Sequence, residues 1–388
     1  MATLPTELKY PRNPDYSDYG KTGVTTWTNA LTGEKWTCFG CCFIDNDKTQ
    51  ECFYIWKKVP ASVGATGPRI EEMYDADTDS TTAAIYGYTE IINYMFYGNK
   101  YLSAISMPDD VTSIGKNAFY SCINLALASL PSGLTSIGEQ AFYYCKRLSV
   151  TSLPSGITNI EKKAFQGCTN LALTSLPSGV TSIKDCAFQG CTNLALTFLP
   201  SGITSIGENA FDNCTNLALT SLPSGVTSIG KFAFYNCTNL ALTSLPSGVT
   251  EIGDDAFYNC TNLALTSLPS GITSIGTSMF RDCTNLALTS LPSGVTSIKD
   301  CAFYNCTNLA LTSLPSGLTS IVSYAFQNCT GLTSITFEST PTSIGSYAFD
   351  GCTNLTSIKV PWAEGVVANA PWGAKNATIT YNYTGEGE

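Results

Sequence analysis

Residues 218–240 read ALTSLPSGVTSIGKFAFYNCTNL, and residues 241–263 read ALTSLPSGVTEIGDDAFYNCTNL. Only Ser228/Glu251, Lys231/Asp254 and Phe232/Asp255 differ. Working outward, phenylalanine recurs at 96, 119, 142, 165, 188, 211, 234, 257, 280, 303, 326 and 349, every step being 23 residues. Isoleucine keeps the same step from Ile91 to Ile344, cysteine from Cys122 to Cys352, and leucine from Leu102 to Leu355. Four residue types share one phase without an insertion. Stacking explains this, because an extra residue in any coil would throw every side-chain column out of register. The expected fold is a β-rich solenoid of about 12 stacked 23-residue repeats with a parallel sheet, plus a small N-terminal β module.

One unit can be read as a coil. Leu217–Leu222, LALTSL, is expected as a short strand. Leu222-Pro223-Ser224-Gly225 then places Pro second and Gly fourth, as a type I turn prefers. Val226 and Ile229 point inward, and Gly230 suits a positive φ. Ala233 and Phe234 pack, and Cys237 closes the coil. Strands of successive coils would lie ~4.8 Å apart in a parallel sheet.

The net charge of -10 argues against a nucleic-acid footprint. No apolar run is long enough to span a bilayer as a helix. The opening MATLPTELKYPRNPDYSDYG lacks the pattern of a secretory signal. The chain has 17 cysteines and no histidine. Ser-His-Asp and Cys-His catalysis and His-containing metal sites are therefore excluded. No acid/base or nucleophile constellation emerges, so no enzyme, cofactor or resident metal is expected.

The pattern L-x-x-I-x-V-P … I-G-x-x-A-F-x-x-C resembles the BspA-like leucine-rich repeat of the Treponema pallidum type, over about residues 85–385. The resemblance implies a right-handed solenoid, often on bacterial or protozoan surfaces, that binds host proteins or adheres. It does not imply catalysis.

Three coils keep that family's strand: Leu102/Ile105/Met107, Leu332/Ile335/Phe337 and Leu355/Ile358/Val360. The nine between do not. Their middle apolar site is Ala128, Thr151, Thr174, Thr197, Thr220, Thr243, Thr266, Thr289 or Thr312, and a Leu or Val stands one place earlier, at 127, 150, 173, 196, 219, 242, 265, 288 and 311. Two arrangements follow. With strict strand alternation, Leu173, Leu196, Leu219, Leu242 and Leu265 form an exposed apolar strip and a contact surface. With a bulge, they turn inward and nothing apolar is exposed.

Tyr120, Tyr143, Tyr235, Tyr258 and Tyr304 follow the Phe column, and neighbours among them could stack on sugar rings or anchor a protein. Charges gather after the Ile column, as a solvated edge of mixed sign. The Cys column reads as buried free thiols, because its ~4.8 Å coil spacing exceeds what a disulfide prefers at Cβ. Cys186 and Cys301 lie five coils apart and cannot meet within the chain.

Residues 1–84 differ in composition. The run from Thr25 to Val59 reads as two or three strands turning at TGEK and DNDKTQ. It resembles the short WTN…TG hairpin segments of phage tail and virion proteins. Cys38, Cys41, Cys42 and Cys52 leave three readings: a zinc site of four thiolates, a disulfide, or buried hairpin thiols. Asp75, Asp77 and Asp79 begin like a calcium loop, but Ser80 and Tyr86 stand where that loop needs Gly and Glu. Residues 362–388 read as a cap in which Trp362 and Trp372 plug the last coil and Ile379, Tyr381 and Tyr383 alternate along a final strand.

The expected domains are therefore 1–84, a β-hairpin module; 85–361, the solenoid; and 362–388, the cap. The expected function is adhesion or binding of a host or bacterial surface protein or glycan, outside the cell. The alternative is a virion component docked through its N-terminal module. Self-association is a further possibility; nucleic-acid binding and membrane insertion are not expected.

Overall fold

The computed structural model describes residues 82–385 and, before them, the backbone of strands Thr26–Thr28, Lys35–Asn46, Thr49–Lys58, Arg69–Asp75 and Ser80–Tyr86. The repeat region is a parallel-strand β-solenoid of about 13 turns, with no helix among the described residues. The chain divides into two compact units: residues up to Ile157 with Ala164–Leu171, and Thr158–Lys163 with the residues from Ala172.

In the first unit, Thr26–Thr28, Lys35–Asn46 and Thr49–Lys58 form an antiparallel three-stranded sheet. The turns expected at TGEK and DNDKTQ fall on Thr32–Glu34 and Asp47–Lys48, outside the described residues. Cys38, Cys41 and Cys42 lie on the second strand and Cys52 on the third, with Phe43 opposite Cys52; their side chains lie outside the described residues. A second hairpin, Arg69–Asp75 with Ser80–Tyr86, is antiparallel, and its Ser80–Tyr86 strand pairs in parallel with Leu102–Ser106 of the first coil. Asp75 ends the first of these strands, while Asp77 and Asp79 lie outside the described residues.

In both units the regular ladder is the Ser-Ile pair of each repeat. Ser113–Ile114 pairs with Ser136–Ile137, and Ser228–Ile229 with Glu251–Ile252, always in parallel and 23 residues apart. The rest of the backbone is satisfied between coils in two directions. Thr227 and Gly230 donate their N–H groups back to Thr204 and Ile206, at 2.9 Å each. Phe232, Phe234 and Asn236 donate forward to Asp254, Ala256 and Tyr258, at 3.1, 2.9 and 2.7 Å. Tyr235 and Cys237, between them, close local bonds to Phe232 and Phe234. Each such coil is thus a donor to both neighbours, which is where its backbone N–H groups are satisfied.

Eight inward positions per coil make the core: Leu217, Leu219, Leu222, Val226, Ile229, Ala233, Phe234 and Cys237 are all buried. The phenylalanines stack nearly parallel on their own kind. Phe142–Phe165 centroids lie 5.7 Å apart in the first unit, and Phe188–Phe211 lie 5.6 Å apart in the second.

Two expectations about the coil are corrected. The turn is Pro223–Val226, with Val226 N–H donating to Pro223 C=O at 3.1 Å, so Pro is first in the turn rather than second. Gly230 does not have a positive φ, and Glu161, Lys184, Lys299 and Val322 fill the same slot in other coils. Positive φ belongs instead to a column two places behind the Phe. It holds Ser121 (55°), Tyr144 (57°), Asn213 (59°), Asn236 (58°), Asn259 (54°), Asp282 (61°), Asn305 (59°) and Asn328 (59°), with Gly98, Gly167, Gly190 and Gly351 at the equivalent places. Asn, Asp and Gly are the residues that tolerate this region best.

At the C-terminal end, Trp372 is fully buried and its indole N–H donates to Ala368 C=O at 2.7 Å; Trp362 packs edge-on to Phe337. Thr378–Thr380 adds the last parallel strand to Ser357–Lys359, and Ile379 is half-buried.

Candidate functional site

The nine divergent coils decide what surface the solenoid shows. Leu173, Leu196, Leu219, Leu242 and Leu265 are all fully buried, so the apolar strip does not exist and these leucines are core. The reason lies in the spacing of the inward anchors. In the family-like coil these are Leu332, Ile335 and Phe337, at steps of three and two. In the divergent coil they are Leu217, Leu219 and Leu222, at steps of two and three. The length is unchanged; the two consecutive outward residues have moved from before the middle anchor to after it. Regular pairing moves with them. Ser334–Phe337 and Ser357–Lys359 form a ladder, whereas Leu217–Leu222 forms no strand and keeps two inter-coil bonds, Ala218 N–H to Leu196 C=O at 3.2 Å and Ala241 N–H to Leu219 C=O at 3.1 Å. The expected LALTSL sheet is therefore confined, in the second unit, to the coils that keep the family strand and to Ser313–Leu314 of the divergent coil that pairs with them. What faces out is Thr220 with Ser221, and their counterparts along the array, a hydroxyl-rich face interrupted by Phe198 at 54% exposure.

Tyrosine supplies the other surface. Tyr120 and Tyr143, and likewise Tyr235 and Tyr258, are half-buried and stack with centroids 4.5 Å apart. Tyr97, one repeat ahead of Tyr120, extends the first ladder at 4.6 Å. Tyr94 and Tyr144 lean on its two ends, at 5.8 and 4.6 Å, tilted by about 45°. In the second ladder Arg281 takes the next slot and lies over both Tyr258 (5.4 Å) and Tyr304 (4.6 Å). The rings lie against each other, so no gap is left between neighbours. Tyr97 and Arg281 escaped the sequence reading although both share the phase of Tyr120 and Tyr258; the step of 23 alone would have found them. Burial raises the Tyr120 and Tyr235 phenols above their usual range.

The second ladder is acidic. Asp212, 8% exposed, accepts from Gln189 Nε2 and Asn213 Nδ2 at 2.6 Å each, and burial lifts its carboxyl above the usual range. The amide chain continues, Asn236 Nδ2 donating to Asn213 Oδ1 and Asn259 Nδ2 to Asn236 Oδ1. The charged edge after the Ile column is present as expected: Lys116–Glu139 (3.1 Å), Lys184–Glu161 (2.8 Å) and Lys162–Asp185 (3.5 Å) run from coil to coil. Such exposed pairs contribute little to stability.

The described cysteines are free, eleven of them buried. Their thiols help hold the coils together. Cys237 Sγ donates to Phe211 C=O at 3.0 Å, and the same bond recurs along the column. Burial pushes these thiols up, so at neutral pH they are protonated and poor nucleophiles. Cys186 and Cys301 are half-buried. Among the described residues no cluster of Cys, Asp or Glu is arranged to hold a metal ion, and no helix is long and apolar enough to cross a membrane.

Several solved structures share the architecture. A leucine-rich repeat protein from Bacteroides ovatus is 21% identical, covering 83% of this chain and 100% of its own, with a TM-score of 0.48. A leucine rich cell surface protein from Faecalibacterium prausnitzii is 25% identical, covering 79% and 96%, with a TM-score of 0.41. The T. pallidum leucine rich repeat protein is 24% identical, covering 74% and 87%, with a TM-score of 0.32. No curated protein matches the chain. The family model described as the BspA type leucine rich repeat region matches residues 89–218, 172–287, 215–329 and 286–366. With the 23-residue ladder, the Phe column and the Cys–Phe bonds all inside those limits, the chain belongs to the BspA type leucine-rich repeat family.

Proposed function

We propose that this protein is a non-enzymatic binding module, displayed outside the cell, that holds a macromolecular partner on the tyrosine columns of its repeat surface. The observation that carries the reading is the pair of half-buried, pre-stacked tyrosine ladders at Tyr97–Tyr143 and Tyr235–Tyr304. Rings already fixed against their neighbours lose little conformational freedom on binding, and Tyr and Arg are the residues that dominate interface energetics. The cores of the coils are spent on stacking, which leaves the outward columns as the variable surface.

The test is a binding screen of the full chain against protein and glycan arrays, repeated with Tyr120→Ser, Tyr143→Ser, Tyr235→Ser and Tyr258→Ser combined. Loss of capture by about tenfold or more, with an unchanged far-ultraviolet spectrum, supports the reading. Undiminished capture by the variant refutes it.

A further inference from the structure

The two ladders sit in opposite electrostatic settings. The second is lined by Asp212, Asp255 and Asp282, and its own cation, Arg281, is held between two rings with Asp282 3.5 Å from Nε. The first is followed along the chain by cations, Lys100 three residues after Tyr97 and Lys146 and Arg147 three and four after Tyr143. Lys100, Lys146 and Arg147 are exposed, and none has a carboxylate within ion-pair distance among the described residues. Lys116 nearby is instead paired with Glu139. Lys100 Nζ lies 5.0 Å from the centre of Tyr101, and Lys146 Nζ 6.0 Å from that of Tyr144, so both ammonium groups stay beside aromatic surface.

The stack itself narrows the chemistry. Tyr97, Tyr120 and Tyr143 form a continuous stack in which each ring covers the next, and Tyr94 and Tyr144 tilt against its two ends. No ring face in the middle is left for a sugar or a base to lie on. Tyr120 and Tyr143 are hydrogen-bonded side chain to side chain, and the ring edges are what the stack leaves for contact. The edge of an aromatic ring is the positive side of its quadrupole. Positive edges, followed along the chain by three uncommitted cations, select anionic acceptors in a chain of net charge -10.

We propose that the Tyr97–Tyr120–Tyr143 ladder with Lys100, Lys146 and Arg147 docks an acidic segment of a protein partner. This rests on the reading that the tyrosine columns bind. Carboxylates meet the cations, and side-chain methylenes lie along the ring edges. A glycan that needs a ring face inside the stack is disfavoured.

The full chain would be panned against a library of random short peptides, in parallel with the variant Lys100→Glu, Lys146→Glu, Arg147→Glu. All three positions are exposed, and circular dichroism would verify that the fold is kept. Selected peptides are expected to be enriched in Asp and Glu over the input. The enrichment should vanish with the variant, and capture should weaken about tenfold between about 0.05 and 0.5 M salt as screening sets in. Peptides no more acidic than the input, or the same peptides on the variant, would overturn the proposal. Capture of a sulfated glycan in place of the peptides, lost in the variant, would also overturn it. Peptides lost on the tyrosine variant but not on the charge variant would leave the tyrosine reading standing and sink this one.

Discussion

Raising the pH attacks this fold through its cysteines. A free thiol titrates at about 8.5 in an unfolded chain. In the folded chain, burial pushes nine described thiols of the column upward, from Cys122 and Cys145 through Cys214–Cys329 to Cys352, which is pushed up to about 12. Above pH ~8.5 the unfolded chain releases protons that the folded chain keeps, so stability falls as pH rises. The contribution is whole below that point and drains away toward the folded values. Each thiol costs about 1.4 kcal/mol per pH unit once the unfolded form is ionised. Nine of them unfolding together cost on the order of 10 kcal/mol per unit, comparable to the entire stability of an ordinary domain. Thermal unfolding followed by circular dichroism at fixed ionic strength, in a phosphine reductant, should show a melting temperature that is flat to about pH 8 and then falls steeply by pH 10. The triple variant Cys214→Ala, Cys237→Ala, Cys260→Ala should lower the steepness by about a third, whatever its effect at neutral pH. A melting temperature at pH 10 equal to that at pH 7 would show that the column is hydrated and the reasoning wrong.

Leu219→Lys should destabilise by on the order of 4 kcal/mol or more in urea titration, as an uncompensated buried charge, while the adjacent Thr220→Lys should stay within about 0.5 kcal/mol. Equal effects would contradict the shifted anchor. Phe234→Ala should cost about 3–5 kcal/mol as a cavity in the ring stack; a loss below about 1 kcal/mol would contradict the stack. Asn236→Ala should cost about 1–2 kcal/mol for its left-handed backbone, and Asn236→Gly should recover that part, leaving only the lost side-chain amide bonds. Denaturation midpoints that rank Ala at or above Gly would refute it.

The stacking was legible because it is a matter of counting. Phe234, Ile229 and Cys237 recur in phase, and the structure places each column in the core. The position of Leu219 was not legible. Steps of three and two, or two and three, give coils of equal length with the same number of buried anchors, and only the close packing of neighbouring coils chooses between them. The turn was misplaced by one residue for a similar reason, since Pro223 suits either of two turn positions. The positive-φ column carried a signal that went unread, the run of Asn, Asp and Gly ending at Gly351. A second such column, through Lys163, Cys186, Phe232 and Tyr324, carries none. There the backbone is set by N–H groups reaching the next coil, as Phe232 does to Asp254, and side-chain preference is overruled. For the candidate site, the tyrosines were visible as a column, but that their faces would be used up on one another was a matter of ring geometry.

Successive divergent coils offer one another the same donors, acceptors and ring face, in a sequence of constant length. Removing residues 218–240 as a block would set Leu217 before Ala241, and the join would read as an ordinary repeat. The array can therefore grow or shrink by whole coils while its caps stay as they are. Homologous recombination between such similar stretches is then a route to variants that differ in reach, and in how many copies of each outward residue they carry, without a new fold having to be found.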